Sequence, residues 1–230
     1  MLFRSKKAFV SVVAVFCLVG CSQAAVDDEQ FYAYTDKISS EQIQKVEVSA
    51  EFVYEYTPEY MQSISDSRVI GIIDTIRDAD MKYNDVVGYT YGRLTVLHVL
   101  SGNLSVEEEI EYAKPGGVIE YSKWNAAQPQ ADQEKRAYLL DKNNEQAPAY
   151  VDILLENDIH VEAGKSYLIY LKFSDDMNRY EVIGLGNGLR EVIGLDRNTQ
   201  DISSLEKLKI KNNTTNINED LAAYRNEHIK

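Results

Sequence analysis

Cysteine is nearly absent: the 230-residue chain holds two, Cys17 and Cys21, both near its start. Beyond residue 21 there is thus no thiol for a disulfide, a zinc site or a nucleophile, and stability rests on packing. Histidine is almost as scarce. The three present, His98, His160 and His228, show no His-x-His or His-Glu-x-x-His spacing, so structural or surface roles are expected and no metal ligand is assigned. No Gly-x-Ser-x-Gly elbow exists, and Gly184-Leu-Gly186-Asn-Gly188 places its third glycine wrongly for a dinucleotide loop. Asp175-Asp176-Met-Asn178 lacks the glycine and distal glutamate of a calcium loop and reads as a turn. No catalytic residue and no cofactor is assigned. Positive charge is short as well, with 24 Lys and Arg against 37 Asp and Glu and a net charge of −13. Polyanions are bound largely by cations that release counterions, so nucleic acid and anionic headgroups are not expected partners.

What is present is a run of β-rich sequence from Ser67 to Gly117. Arg68 to Ile76 and Tyr91 to Leu100 are β-branched and apolar over most of their length, which predicts strands whose residues mostly face a core. Ser101-Gly-Asn103 turns the chain into a third strand, Glu107 to Ala113, where Glu107, Glu109 and Glu111 alternate with Ile110 and Tyr112 and leave one face in solvent.

The N-terminus reads as an export signal. Arg4, Lys6 and Lys7 form a basic head, Ala8 to Phe16 an apolar run, and Leu18-Val19-Gly20-Cys21 the end. The apolar stretch is well short of the ~20 residues that cross a bilayer. An aliphatic residue two places before a small one, then Cys, resembles the lipobox of bacterial lipoproteins. The resemblance implies that Cys21 carries a diacylglycerol group and a fatty acyl chain such as palmitate, and becomes the first residue after cleavage. That places the chain on the extracytoplasmic side of the cell envelope, with the membrane as a partner through the lipid on Cys21. Losing residues 1–20 removes three basic residues and no acid, which makes the remainder more acidic. Residues 21–45 then read as an acidic tether; Phe31-Tyr-Ala-Tyr34 either belongs to it or packs on the domain that follows.

From Val46 to Tyr56 near-alternation predicts a strand with one irregularity. Thr57-Pro58-Glu59 carries a cap, a first-turn proline and an early acid, predicting a helix from Pro58 to Ile64. Gln130 to Leu140, with Asp132 as candidate cap, predicts a second helix, and Ser166 to Phe173 a late strand. Two Glu-Val-Ile-Gly-Leu copies, 181–185 and 191–195, flank Gly186-Asn187-Gly188 and predict a hairpin. In the tail, Ser203-Ser204-Leu-Glu206 offers a capping box, and Ile217, Leu221 and Tyr224 fall at helical spacing. One or two small helices are expected there, joined by Asn212 to Asn216.

A short helix running into Ser65-Asp-Ser-Arg-Val-Ile-Gly-Ile-Ile73, a long strand ending Val99-Leu-Ser-Gly-Asn103, the Gly116-Gly117 pair and Val161 to Leu171 together resemble secreted bacterial proteins with an oligonucleotide/oligosaccharide-binding (OB) barrel. Their architecture is similar to netrin-like domains and tissue inhibitors of metalloproteinases. The resemblance spans Tyr60 to Leu195. It implies a mainly β fold with minor α: an OB-like, closed or partly open Greek-key barrel over residues 46–197 with short flanking helices, followed by a polar helical tail, 198–230. Aromatics on such barrels often stack on ligands, which makes Tyr121 and Trp124 the ligand-contact candidates; the alternative, that Trp124 plugs one end of the barrel, is the preferred expectation. The metalloproteinase inhibitors use a free N-terminal cysteine at the barrel, for which Cys21 is no match. The expectation is a non-catalytic binding or assembly module for a protein or glycan, with two alternatives: an inhibitor or docking module for extracellular proteases, and an envelope hydrolase using paired carboxylates.

Overall fold

The computed structural model describes residues 38–48, 56–81, 87–155, 157–196, 205 and 207–229. The expected signal segment, Cys21 and most of the expected tether lie outside these residues, as does the second half of the strand expected over Val46 to Tyr56. The elements in chain order are β1 (Ile43–Val48), α1 (Pro58–Ile64), β2 (Ser67–Asp80), β3 (Tyr89–Ser101), β4 (Glu109–Pro115), β5 (Gly117–Glu120), α2 (Tyr121–Ala127), α3 (Gln130–Asn143), β6 (Tyr150–Leu155), β7 (Lys165–Ser174), β8 (Arg179–Val182), a single helical turn α4 (Leu185–Gly188), β9 (Leu189–Asp196), β10 (Lys209–Lys211), β11 (Asn218–Asp220) and α5 (Leu221–His228).

Five strands close on themselves. β2 pairs antiparallel with β3, β3 with β4, β4 parallel with β8, β8 antiparallel with β7, and β7 antiparallel with β2. The fold is mainly β, a closed OB-like Greek-key barrel with short helices around it. Register shifts at four places along β2 and β3 give these long strands the coil that closure needs. Val69, Ile73, Leu94, Val96, Ile110, Tyr112, Tyr167 and Ile169 fill the interior. Each fully buried aliphatic side chain among them contributes roughly 1.5–3 kcal/mol.

The reason β2 and β3 read as unbroken apolar runs lies on their other face. Ile70 and Leu168 point outward from the barrel into a second cluster with Val192, Leu195, Ile210, Leu221, Tyr224 and Ile229. Those residues belong to β9, β10 and α5, which extend the sheet past β7 and fold back over it. Among its described residues the tail holds a strand pair and α5: Leu221 and Tyr224 are buried, whereas Ile217, the third member of the expected helical stripe, is exposed just before β11.

Gly116 and Gly117, both at positive φ, turn the chain out of the barrel after β4. It enters a second, three-stranded sheet in which β6 lies between β1 (parallel) and β5 (antiparallel). Val151, Ile153 and Ile119 of this sheet pack with Ala79 of β2 and Trp124 of α2. The hairpin expected at Gly186-Asn187-Gly188 is not formed. β8 is held by β4 and β7, so β9 takes the opposite stretch of β7, and α4 carries the chain across. Gly186 is required there for proximity: a Cβ would lie 1.5 Å from the Asn157 carbonyl oxygen.

Candidate functional site

The barrel interior is packed with side chains, so a site has to be sought on its outside. Among the described residues no group of three or more His, Cys, Asp or Glu is placed to hold a metal ion. The histidines lie apart. His98 is on β3, where burial, and after it the Arg225 charge, holds its imidazole below the ordinary value. His160 Nε2 is 3.0 Å from Asp152 Oδ1, and His228 Nδ1 is 3.4 Å from Glu59 Oε1. No helix among the described residues is long and apolar enough to cross a membrane.

The strand face that OB barrels commonly use for ligands is occupied by ion pairs. Arg77 lies 2.8 Å from Glu111, Arg179 lies 3.5 Å from Glu111, and Arg93 lies 3.6 Å from Glu109. The Arg179 guanidinium also stacks over an aromatic face, 4.8 Å from the Tyr91 ring centroid. Each arginine on this face thus has an acid at hand, which leaves little unbalanced positive charge for a phosphate.

The two ligand-contact candidates sit at the junction of the barrel and the smaller sheet. Trp124 is on α2 and only 8% exposed; its ring is 5.8 Å from that of Tyr121 and 4.6 Å from the Arg136 guanidinium. Arg136 Nε in turn donates to Asn125 Oδ1 at 2.8 Å. The indole is bound up in packing, and Tyr121 is half-buried beside it.

Arg136 comes from α3, and α3 is the most exposed element described. It follows Pro129 directly, with Asp132 in its first turn and not at its cap, and closes on Asn144 in the left-handed conformation (φ 52°). None of its residues is buried. Gln133, Arg136 and Leu140, its half-buried positions, share one side, where Gln133 Nε2 donates to the Gln128 carbonyl at 2.7 Å. At 3.6 residues per turn the opposite side carries Lys135, Tyr138, Leu139 and Lys142. Tyr138 is 62% and Leu139 43% exposed. The sequence predicted this helix, yet periodicity alone did not tell which side of it faced the body.

On the far layer, the Tyr170 and Tyr224 hydroxyls meet at 3.3 Å, buried under α5. Burial raises both phenol pKa values, and the Arg190 guanidinium, 4.6 Å from the Tyr224 ring centroid, opposes the rise. Arg190 pairs with Glu219 at 2.8 Å. Beside this layer a cavity of about 350 Å³ is lined by Leu100, Leu205, Leu221, Ala222, Arg225 and Asn226. The sequence did not foretell this cavity, because the tail offers no signal for where it docks. Comparison with family models, curated proteins and solved structures returned no match.

Proposed function

We propose that the chain is a lipid-anchored cell-envelope protein, held through Cys21, whose OB-like barrel is a non-catalytic scaffold presenting α3 to a protein partner. The observation that carries this reading is that α3 buries no side chain while exposing Tyr138 and Leu139 between Lys135 and Lys142. A helix of this length is marginal by itself in water, where tertiary burial normally supplies most of its stability. Docking Tyr138 and Leu139 would contribute roughly 1.5–3 kcal/mol for each side chain fully covered. The pattern at i, i+3, i+4 and i+7 fits the helix-in-groove mode of recognition. The two lysines flanking this pair, on a chain of net charge −13, favour a groove with an apolar floor and acidic rims. A protein fits this better than a glycan, since the indole suited to stack on a sugar is covered by Arg136.

The test is site-specific photocrosslinking in intact cells. Tyr138→p-benzoylphenylalanine should give one discrete adduct, weakened by Leu139→Ala or by Lys135→Glu with Lys142→Glu, while Tyr138→Ala leaves the melting temperature unchanged. No adduct, or the same adduct from Glu227→p-benzoylphenylalanine on α5, would sink the docking role. Cys21→Ser should release the chain from the membrane fraction; retention would sink the anchor.

A further inference from the structure

Arginine usage singles out the layer beneath α5. Arg77, Arg93, Arg179 and Arg190 each lie within 3.6 Å of a glutamate, and Arg136 bonds Asn125. Arg68 has no such partner. It is 9% exposed, and its Nε and Nη1 are closed to solvent without a hydrogen bond. A guanidinium does not shed its proton in a protein, so burying one with empty donors costs free energy that nothing in the fold returns. The burial itself lowers the Arg68 pKa, and no carboxylate opposes it.

The surroundings of Arg68 supply the rest of a site. It lies opposite Ser101 of β3 and Tyr170 of β7 in the register. Ser101 Oγ is also buried without a partner. Leu100, next to Ser101, forms one wall of the cavity of about 350 Å³, and Leu205, Leu221, Ala222, Arg225 and Asn226 form the others. Among the described residues Arg225 has no acid partner either. The unpaired Arg225 thus lines a cavity of mixed polar and apolar character, while Ser101 directly follows its Leu100 wall and the unpaired Arg68 pairs across from Ser101, in a chain of net charge −13. A cavity this size is at the small end of the roughly 300–1,000 Å³ that ligand pockets span, which suits a small molecule or a single apolar residue.

We propose that this cavity binds a small amphipathic carboxylate, with Arg68 and Arg225 taking the charge, Ser101 donating a hydrogen bond, and Leu100, Leu205 and Leu221 holding the apolar body. Guanidinium and carboxylate form the strong, charge-assisted class of hydrogen bond, and leucine walls reject a bare phosphate. The side chains closed over Arg68 turn aside to admit the ligand, so binding is coupled to a local opening. Two sources offer this chemistry, a medium-chain fatty acid and the free carboxyl end of a peptide with an apolar last residue. The site is independent of α3 docking and stands or falls separately.

The experiment is calorimetric titration of the full chain carrying Cys21→Ser, which keeps its own lipid from competing, with octanoate and N-acetyl-leucine as probes and their amides as uncharged controls. One saturable site is expected for a carboxylate and none for its amide. Arg68→Met should weaken it roughly 10- to 100-fold and, without ligand, raise the melting temperature by relieving the buried charge. Arg225→Gln, at an exposed position, should weaken it by a smaller factor and carries the test if Arg68→Met does not fold. Tighter octanoate assigns the acyl source, tighter N-acetyl-leucine the peptide one. Equal binding of acid and amide, unchanged affinity in both variants, or no saturable binding would overturn the proposal.

Discussion

Lys114 and Asp158 form an ion pair inside the protein, and its removal is the most demanding check on how the barrel is held to its surroundings. Lys114 Nζ, at the end of β4, is 2.6 Å from Asp158 Oδ2, and the side chains are 3% and 1% exposed. Nζ also donates to the Pro115 carbonyl at 2.9 Å, while Asp158 Oδ1 accepts the Ile159 N–H at 2.8 Å. The loop that carries Asp158 supplies the Asn157 carbonyl packed on Gly186, so the pair pins two crossings at once. Lys114→Met leaves a carboxylate in the interior without its cation and should cost about 3–5 kcal/mol, as should Asp158→Leu for the stranded ammonium. At about 2–4 °C per kcal/mol for a chain of this size, either change lowers the melting temperature by roughly 6–20 °C. The double variant removes both charges together and is expected within ~2 kcal/mol of the parent, far short of the sum of the single losses. Urea unfolding of the four proteins, followed by circular dichroism, closes the cycle. Additive losses in the double variant, or a single variant costing less than ~1 kcal/mol, would refute the reasoning.

Two further outcomes follow from the same packing. Trp124→Ala should lose about 3–5 kcal/mol, as for a large core aromatic, because Trp124 joins α2, α3 and the smaller sheet; a melting temperature near that of the parent would instead return Trp124 to the ligand-contact role. His98 is held below its ordinary value of 6.5 by burial and by Arg225, so on acidification the unfolded chain takes up this proton before the folded one. The contribution of His98 is present above that value and is lost as pH falls through the depressed folded one; urea midpoints at about pH 7.5 and 5 should therefore differ less in His98→Gln than in the parent, and an equal difference in both would remove His98 from the account.

The parts of the fold that were legible in the sequence are those written by local physics. Thr57-Pro58 placed the start of α1 at the residue found, because a cap hydroxyl and a fixed φ act within one turn: Thr57 Oγ1 accepts the Tyr60 N–H at 3.2 Å. The apolar runs of β2 and β3 announced strands whose residues mostly face a core, and the outer cluster under α5 is why their second face is apolar too. Alternation in Val151, Ile153 and Leu155 was equally local, yet no strand was assigned there. The misread hairpin shows where local evidence stops. Gly186-Asn187-Gly188 is a good turn sequence, but the partner of β9 is decided by barrel closure, which has already taken both edges of β8.

The same boundary runs through the candidate sites. Arg68 heads a strand, where a charge usually marks the solvated end, and only long-range pairing, with Ser101 of β3 on one side and Tyr170 of β7 on the other, puts it among buried residues. In α3 the apolar residues sit on both sides of the helix, Leu140 inward with Gln133 and Arg136, Tyr138 and Leu139 outward with the two lysines. Hydrophobicity alone would have turned Tyr138 and Leu139 to the core. What turned them out is that Arg136 is committed to Trp124 and Asn125, and one such anchor sets the rotation of every other side chain on the helix.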